Sequence, residues 1–361
     1  MARDLIGLHG TDPASVYLAA WARMKQPQIE TIERALYDDR TIVRMLAMRR
    51  TMFVVPVDLV PVVQVGASNA VAARERTRLL QWIDASGFTA KPDRWLRTAE
   101  AATLDALRVH GASTAAELAE FVPILREQIV VGGGKWQTTQ SVGARVLLVL
   151  AAEGHIARGR PRGSWISTQH RWEPMELWMP DAGAEPDVDA ARTELVTRWL
   201  RAFGPATVAD VKWWTGWTMG ETRKALGRAD TVDVDLDGTV GIVLADDLET
   251  TEAAKPWAAL LPALDPTAMG WTAREWFLGD HRSALFDRSG NVGPTIWWNG
   301  RVVGGWAQRP DGHIATRLLE DAGTAASAAV TAEAERLETW LGDRRFTSRF
   351  PTPLERELRA G

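Results

Sequence analysis

The chain has 361 residues, 46% of them hydrophobic, a formal net charge of −4 and no cysteine. Its length points to two to four folding units, and the missing cysteines exclude a disulfide framework, a zinc ribbon and a cysteine nucleophile. No run approaches 18 uncharged apolar residues, so no membrane span is expected; no apolar stretch follows Arg3 and Asp4 to mark a secretory signal, and a reducing cytoplasm is the expected compartment.

The charge is unevenly spread. Residues 1–172 hold 22 lysines and arginines against 16 aspartates and glutamates, +6, whereas residues 173–361 hold 20 against 30, −10. A basic front half suits a polyanionic partner. Eighteen tryptophans are many for this length; most should be core residues, with a few able to stack on bases.

In chain order, the first feature is GLHGTDPASVYLAAWARM (Gly7–Met24), a small polar loop feeding a helix. Asp12 is a favoured N-cap and Pro13 fits the first helical position. Capping leaves His9 and Thr11 unexplained. A histidine can orient or deprotonate water near neutral pH, and a threonine hydroxyl can hydrogen-bond the same water. Helices are expected near Ala14–Lys25, Ile29–Tyr37 and Asp39–Leu46, before a strand in MRRTMFVVP that carries Arg49 and Arg50.

From Arg97 to Pro174 the pattern is three helices and a hairpin. TAEAATLDALRVHG stops at Gly111, STAAELAEFV opens with Thr114 and Glu117 at capping-box spacing, and TTQSVGARVLLVLAAEG ends at Gly154. VGGGKW (Val131–Trp136) is expected to be a flexible loop. HIARGRPRGSWISTQHRWEP alternates, turns at Arg162-Gly163 and alternates again, placing Arg158, Arg160 and Arg162 at a basic hairpin tip suited to phosphate or minor-groove contact. Helices followed by a basic hairpin are the layout of a winged helix. The layout recurs in AARTELVTRWLRAFG, TVADVKWWTG and TMGETRKALGRA, with a hairpin turning at Asp237-Gly238. That second hairpin is acidic and would repel phosphate.

The tail is apolar and proline-broken, then reads as strands turning at Asn299-Gly300 and Asp311-Gly312, and closes with the helix AASAAVTAEAERLETWLG. The fold class expected is mainly α with small β-sheets. It comprises three tandem winged-helix units (1–96, 97–180 and 187–250) and a β-rich C-terminal domain with a terminal helix (251–361). The six histidines are scattered, and neither a GxxxxGK[ST] loop nor a strand-placed GxGxxG is present, so no metal and no cofactor is expected.

The segments LIGLHGTDPASVYLAAWAR, YDDRTIVRMLAMRRTMFVVP, LLPALDPTAMGW and NGRVVGGW, in that order, resemble the AlkZ/YcaQ-like DNA glycosylases, a family of tandem winged-helix units with a β-rich C-terminal region. In that family a Gln-x-Gln or Gln-x-Asp motif precedes the first helix. Here His9, Gly10 and Thr11 stand in those positions, a His-x-Thr variant. The literal Gln26-Pro27-Gln28 follows the helix instead and reads as the start of the next one.

The resemblance implies a monofunctional glycosylase of alkylated or bulky-adduct purines in double-stranded damaged DNA, acting in base excision repair as a monomer. It implies His9, Thr11 and Asp12 as the catalytic set and Arg49 and Arg50 either as phosphate contacts beside the wing arginines or as members of a buried-strand ion pair. Asp265 in LLPALDP would support the site through its charge, or simply form an Asp-Pro turn. No lysine lies in the motif, so Schiff-base lyase chemistry is not expected. The rival readings are a non-catalytic winged-helix DNA-binding regulator and a scaffold that kept the fold and lost catalysis.

Overall fold

The computed structural model describes residues 1–132, 137–180 and 183–361. The Gly133–Trp136 part of the expected glycine-rich loop lies outside them. The chain forms two compact units, one of Glu33–Leu195 and one joining Met1–Ile32 to Val196–Gly361. Each mixes helices with small antiparallel sheets.

In the Glu33–Leu195 unit, strands Ile42–Ala47 and Thr51–Pro56 pair in register, Ile42 opposite Pro56 and Ala47 opposite Thr51. The helix expected over Asp39–Leu46 is therefore a strand. Its residues Val43 to Ala47 are all buried, so no polar alternation marked it, and a fully buried strand has no periodicity that separates it from a buried helix. The strand expected to begin at Met48 begins at Thr51, because Met48, Arg49 and Arg50 form the turn. Arg49 and Arg50 both sit at positive φ, 55° and 60°. Tight hairpins that need this conformation normally use Asn-Gly, so two arginines here store backbone strain.

Helices Asn69–Ser86 and Pro92–His110 follow, ended by Gly87 and Gly111 at φ 68° and 72°. Leu79, Ile83, Leu96 and Leu107 on these helices pack with Leu118, Ile129, Val146, Leu150 and Ile156 as the unit's core. Helix Ala115–Phe121 has the expected capping box: the Glu117 N–H donates to Thr114 Oγ1 at 3.2 Å, and the Thr114 N–H donates to Glu117 Oε2 at 2.7 Å. Thr114→Ala should therefore cost about 1 kcal/mol. A urea midpoint unchanged by this substitution would show that the box contributes nothing.

Thr138–Ser141 is a strand paired with Gln128–Val131, and the third helix starts only at Gly143. The apolar periodicity begins at Val142, which explains the later start. The basic hairpin pairs Ile156–Pro161 with His170–Pro174 through residues 162–169 rather than a tight Arg162-Gly163 turn. Arg158 and Arg160 thus lie within its first strand and not at a tip.

The boundary between the units falls inside helix Val188–Phe203. In the Met1–Ile32/Val196–Gly361 unit, helices Val208–Thr215 and Met219–Leu226 are each opened by a capping box, from Thr207 and Thr218. Strands Thr231–Leu236 and Thr239–Leu244 then pair across Asp237-Gly238. Ala206 bridges to Ile242 on this hairpin, as Ser113 bridges to Trp172 on the earlier one. In each case the bridging residue lies just before a helix opened by a capping box.

The tail holds a four-stranded antiparallel sheet in the order Ala258–Leu261, Thr295–Trp298, Arg301–Gln308, Ile314–Leu318. The expected turns at Asn299-Gly300 and Asp311-Gly312 join three of these strands. Ala258–Leu261 and a last helix, Pro353–Ala360, come in addition to the elements expected, and helix Gly323–Leu341 precedes that last helix. Phe277, Leu285, Trp297, Val302, Ala315, Leu354 and Leu358 build the core around the sheet. Among the described residues no helix is long and apolar enough to cross a membrane, and no group of three or more potential ligands could hold a metal ion.

Candidate active-site loop

His9 ends the two-residue strand Leu8–His9 and is buried, rather than lying in an open polar loop. Upstream, Ile6 is fully buried at φ 64°, an uncommon conformation for a β-branched residue, which the packing around it must enforce. Downstream, Asp12 caps helix Pro13–Trp21: its Oδ1 accepts the Ala14 N–H at 3.1 Å. The other oxygen, Oδ2, accepts the Arg349 N–H at 2.9 Å, and Arg349 Nη1 donates to the Thr11 carbonyl at 3.3 Å. Asp12 is thus engaged through both oxygens, and His9 and Thr11 lie just before it.

Every residue from Pro13 to Trp21 is buried. A helix buried on all sides needs its flanking charges neutralised. Arg23, just past its end, meets Asp265 in a bidentate pair at 2.8 and 2.7 Å, and its Nη2 also donates to Thr267 Oγ1 at 2.8 Å. Asp265 is 0% exposed. Its Oδ1 also accepts the Thr267 N–H at 2.9 Å, a turn-forming bond of the kind an Asp-Pro corner makes. Ser15 Oγ donates to the Ala263 carbonyl at 2.6 Å, a second tie between the helix and this segment. Leu264, beside Asp265, is at φ 59°. Positive-φ residues other than glycine therefore occur near both His9 and Asp265, and such strain concentrates at functional sites.

Sequence reading did not single out Arg23, Ser15 or Arg349. Arg23 carried a signal, being a cation at the end of a uniformly apolar helix. Arg349 carried none.

Burial raises the Asp12 carboxyl above its ordinary value, against the opposing pull of the Arg349 and Ala14 N–H groups and the Arg349 charge. The Glu355 carboxyl is likewise raised by burial, with hydrogen bonds from Ser348 and Thr352 opposing. A carboxyl raised on folding binds its proton more tightly in the folded state. It favours folding at low pH, and that contribution falls as pH rises from the ordinary carboxyl value through the folded one. Glu355→Gln removes this burden, so its urea midpoint should gain on the parent chain as pH rises from the ordinary carboxyl value. Parallel profiles for the two chains would contradict the assignment.

The basic residues singled out in the Glu33–Leu195 unit are mostly engaged. Arg50 pairs with the buried Glu75 at 2.7 and 2.9 Å. Arg160 holds both oxygens of Asp38 at 2.9 Å, approaches Glu33 at 3.4 Å and lies 5.0 Å over the Tyr37 ring. Arg162 lies 3.8 Å from Glu117, and Arg158 stacks 5.5 Å over Trp172. Arg49 is largely buried, and burial pushes its guanidinium down to about 10, leaving it cationic at neutral pH. A phosphate at Arg50, Arg160 or Arg162 would have to compete with a carboxylate.

The family model of AlkZ-like DNA glycosylases matches residues 2–340, and the chain belongs to that family. An interstrand DNA cross-link repair glycosylase of Streptomyces sahachiroi is 31% identical over 170 residues, 45% of this chain and 45% of that protein, so the match spans less than half of the relative's length. The solved structure of Streptomyces sahachiroi DNA glycosylase AlkZ matches with a TM-score of 0.70 over 96% of this chain and 92% of that one, at 23% identity; the two share a fold.

Proposed function

We propose that the protein is a monofunctional DNA glycosylase that hydrolyses the N-glycosidic bond of N7- or N3-alkylated or bulky-adduct purines in double-stranded DNA, as a monomer in base excision repair. The observation that carries this reading is the His9–Thr11 loop, buried at His9 and pinned through Asp12, in a chain that the family model matches almost throughout. The name of the Streptomyces sahachiroi relative adds interstrand cross-links to the candidate substrates.

Alkylation at N7 or N3 makes the purine cationic, so the base departs neutral from an already weakened bond. The remaining task is to stabilise an oxocarbenium-like sugar and to hold a water at its anomeric carbon. His9 both positions that water and accepts its proton, and Thr11 fixes its orientation. Asp12 keeps the loop in place and caps the helix behind it. The bidentate pairing of Asp265 with Arg23 favours a positioning role for that carboxylate over direct charge stabilisation at the sugar.

The bridge that each hairpin receives supports winged-helix units over 97–180 and 187–250, to which the proposed organisation adds a first unit over 1–96 and a C-terminal domain over 251–361. The basic front half supplies the phosphate-facing charge, with Arg49, Arg50, Arg158, Arg160 and Arg162 as its candidate contacts.

Incubation with duplexes bearing N7-methylguanine, a bulky N7 adduct or an interstrand cross-link should release free base and leave abasic sites. Binding should weaken steeply with salt as counterions return to the phosphates. Sequence-selective duplex binding with no base release across the panel would replace this reading with a non-catalytic DNA-binding protein.

A further inference from the structure

The segment after helix Gly323–Leu341 lies beyond the residues that the family model matches, yet it reaches the His9 loop. Phe346 is buried against Trp306, with ring centroids 6.1 Å apart, and its N–H donates to Gln308 Oε1 at 3.0 Å. Arg359 Nη1 donates to the Gln308 and Phe346 carbonyls at 2.8 and 3.1 Å. Ser348 is buried and hydrogen-bonded to the Glu355 side chain, and Thr352 caps the last helix. Residues 346–352 are thus anchored on both sides of Arg349. They present its N–H to Asp12 Oδ2 and its guanidinium to the Thr11 carbonyl.

We infer that Arg349 is a positioning residue for the catalytic loop, and that the C-terminal segment is a clamp that fixes His9 and Thr11 relative to the DNA. The inference rests on the glycosylase reading for its consequence in catalysis, but not for the clamp itself. Two contacts from one residue meet the loop on either side of the Thr11–Asp12 peptide bond. The N–H satisfies a carboxylate oxygen that would otherwise be buried without a donor. The guanidinium adds a positive charge that favours the ionised carboxylate. A loop held this way pays little ordering entropy when the damaged nucleotide arrives.

The test uses the full chain with Arg349→Ala and Arg349→Lys, read by two independent measurements. Hydrogen exchange of peptides covering Leu8–Val16 should quicken about ten-fold in Arg349→Ala, with the core helices unchanged, and Arg349→Lys should recover part of the protection. Single-turnover release of N7-methylguanine should fall about ten-fold in Arg349→Ala, with the Kd for the duplex within two-fold of the parent. Arg349→Ala keeps the backbone N–H that meets Asp12 and removes only the guanidinium from the Thr11 carbonyl, so unchanged exchange over Leu8–Val16 overturns the positioning role of the Arg349 side chain, whatever the activity. Release that falls only as far as duplex affinity falls also overturns it, making Arg349 a DNA contact. If the parent chain releases no base from any lesion while exchange responds as expected, the clamp stands and the glycosylase reading fails.

Discussion

His9→Ala is expected to slow single-turnover release of an alkylated purine by about 100-fold or more, the low end of what a positioned general base contributes. Duplex affinity should stay near that of the parent chain, because the imidazole is buried and the candidate phosphate contacts lie elsewhere. His9→Gln separates the two jobs assigned to the ring. Glutamine can hold a water but is a poor base, so partial activity with a flattened pH profile would assign His9 to positioning, and loss as deep as alanine would assign it to proton transfer. Release by His9→Ala at the parental rate would remove His9 from the mechanism.

Asp265→Ala should destabilise the fold by about 3–5 kcal/mol, because it leaves the Arg23 guanidinium beside a buried, emptied site. The effect follows from both oxygens of a fully buried carboxylate being committed to one cation. Replacing both partners with apolar residues, Arg23→Met with Asp265→Leu, should recover most of the loss, since a buried pair often contributes little beyond an apolar one. Urea unfolding of the three chains measures this. A loss below about 1 kcal/mol for Asp265→Ala would show the pair to be solvated in solution. Activity should also fall in Asp265→Ala, because the pair fixes the helix that follows the His9 loop.

How far the fold was legible depended on whether an element's signals were local. The hairpins at Asp237-Gly238 and Asn299-Gly300, and the turn at Asp311-Gly312, announce themselves because their backbone conformations favour those residues. The Thr114–Glu117 box is four residues of chemistry that need nothing else to form. Ile42–Ala47, Thr138–Ser141 and Ala258–Leu261 were hidden. The first has almost no exposed face, the second sits directly before a helix, and the third is an apolar tetrapeptide made a strand by pairing with Thr295–Trp298. Helix Pro353–Ala360 did carry start signals in Thr352, Pro353 and Glu355, but at eight residues it had little length to show a period.

The same division runs through the site. The sequence by itself determined that Asp12 and Pro13 open a helix and that His9 and Thr11 lie just before it. It also showed the front half to be basic and the three-helix-and-hairpin pattern to repeat. Only the tertiary structure decided what holds those residues. Arg23 meets Asp265 across 242 positions and Arg349 meets Asp12 across 337. Capping and turn preferences arise among neighbours a few bonds apart, so they can be read along the chain. The partner of a buried charge is decided by which distant surfaces pack together, and that depends on the whole core.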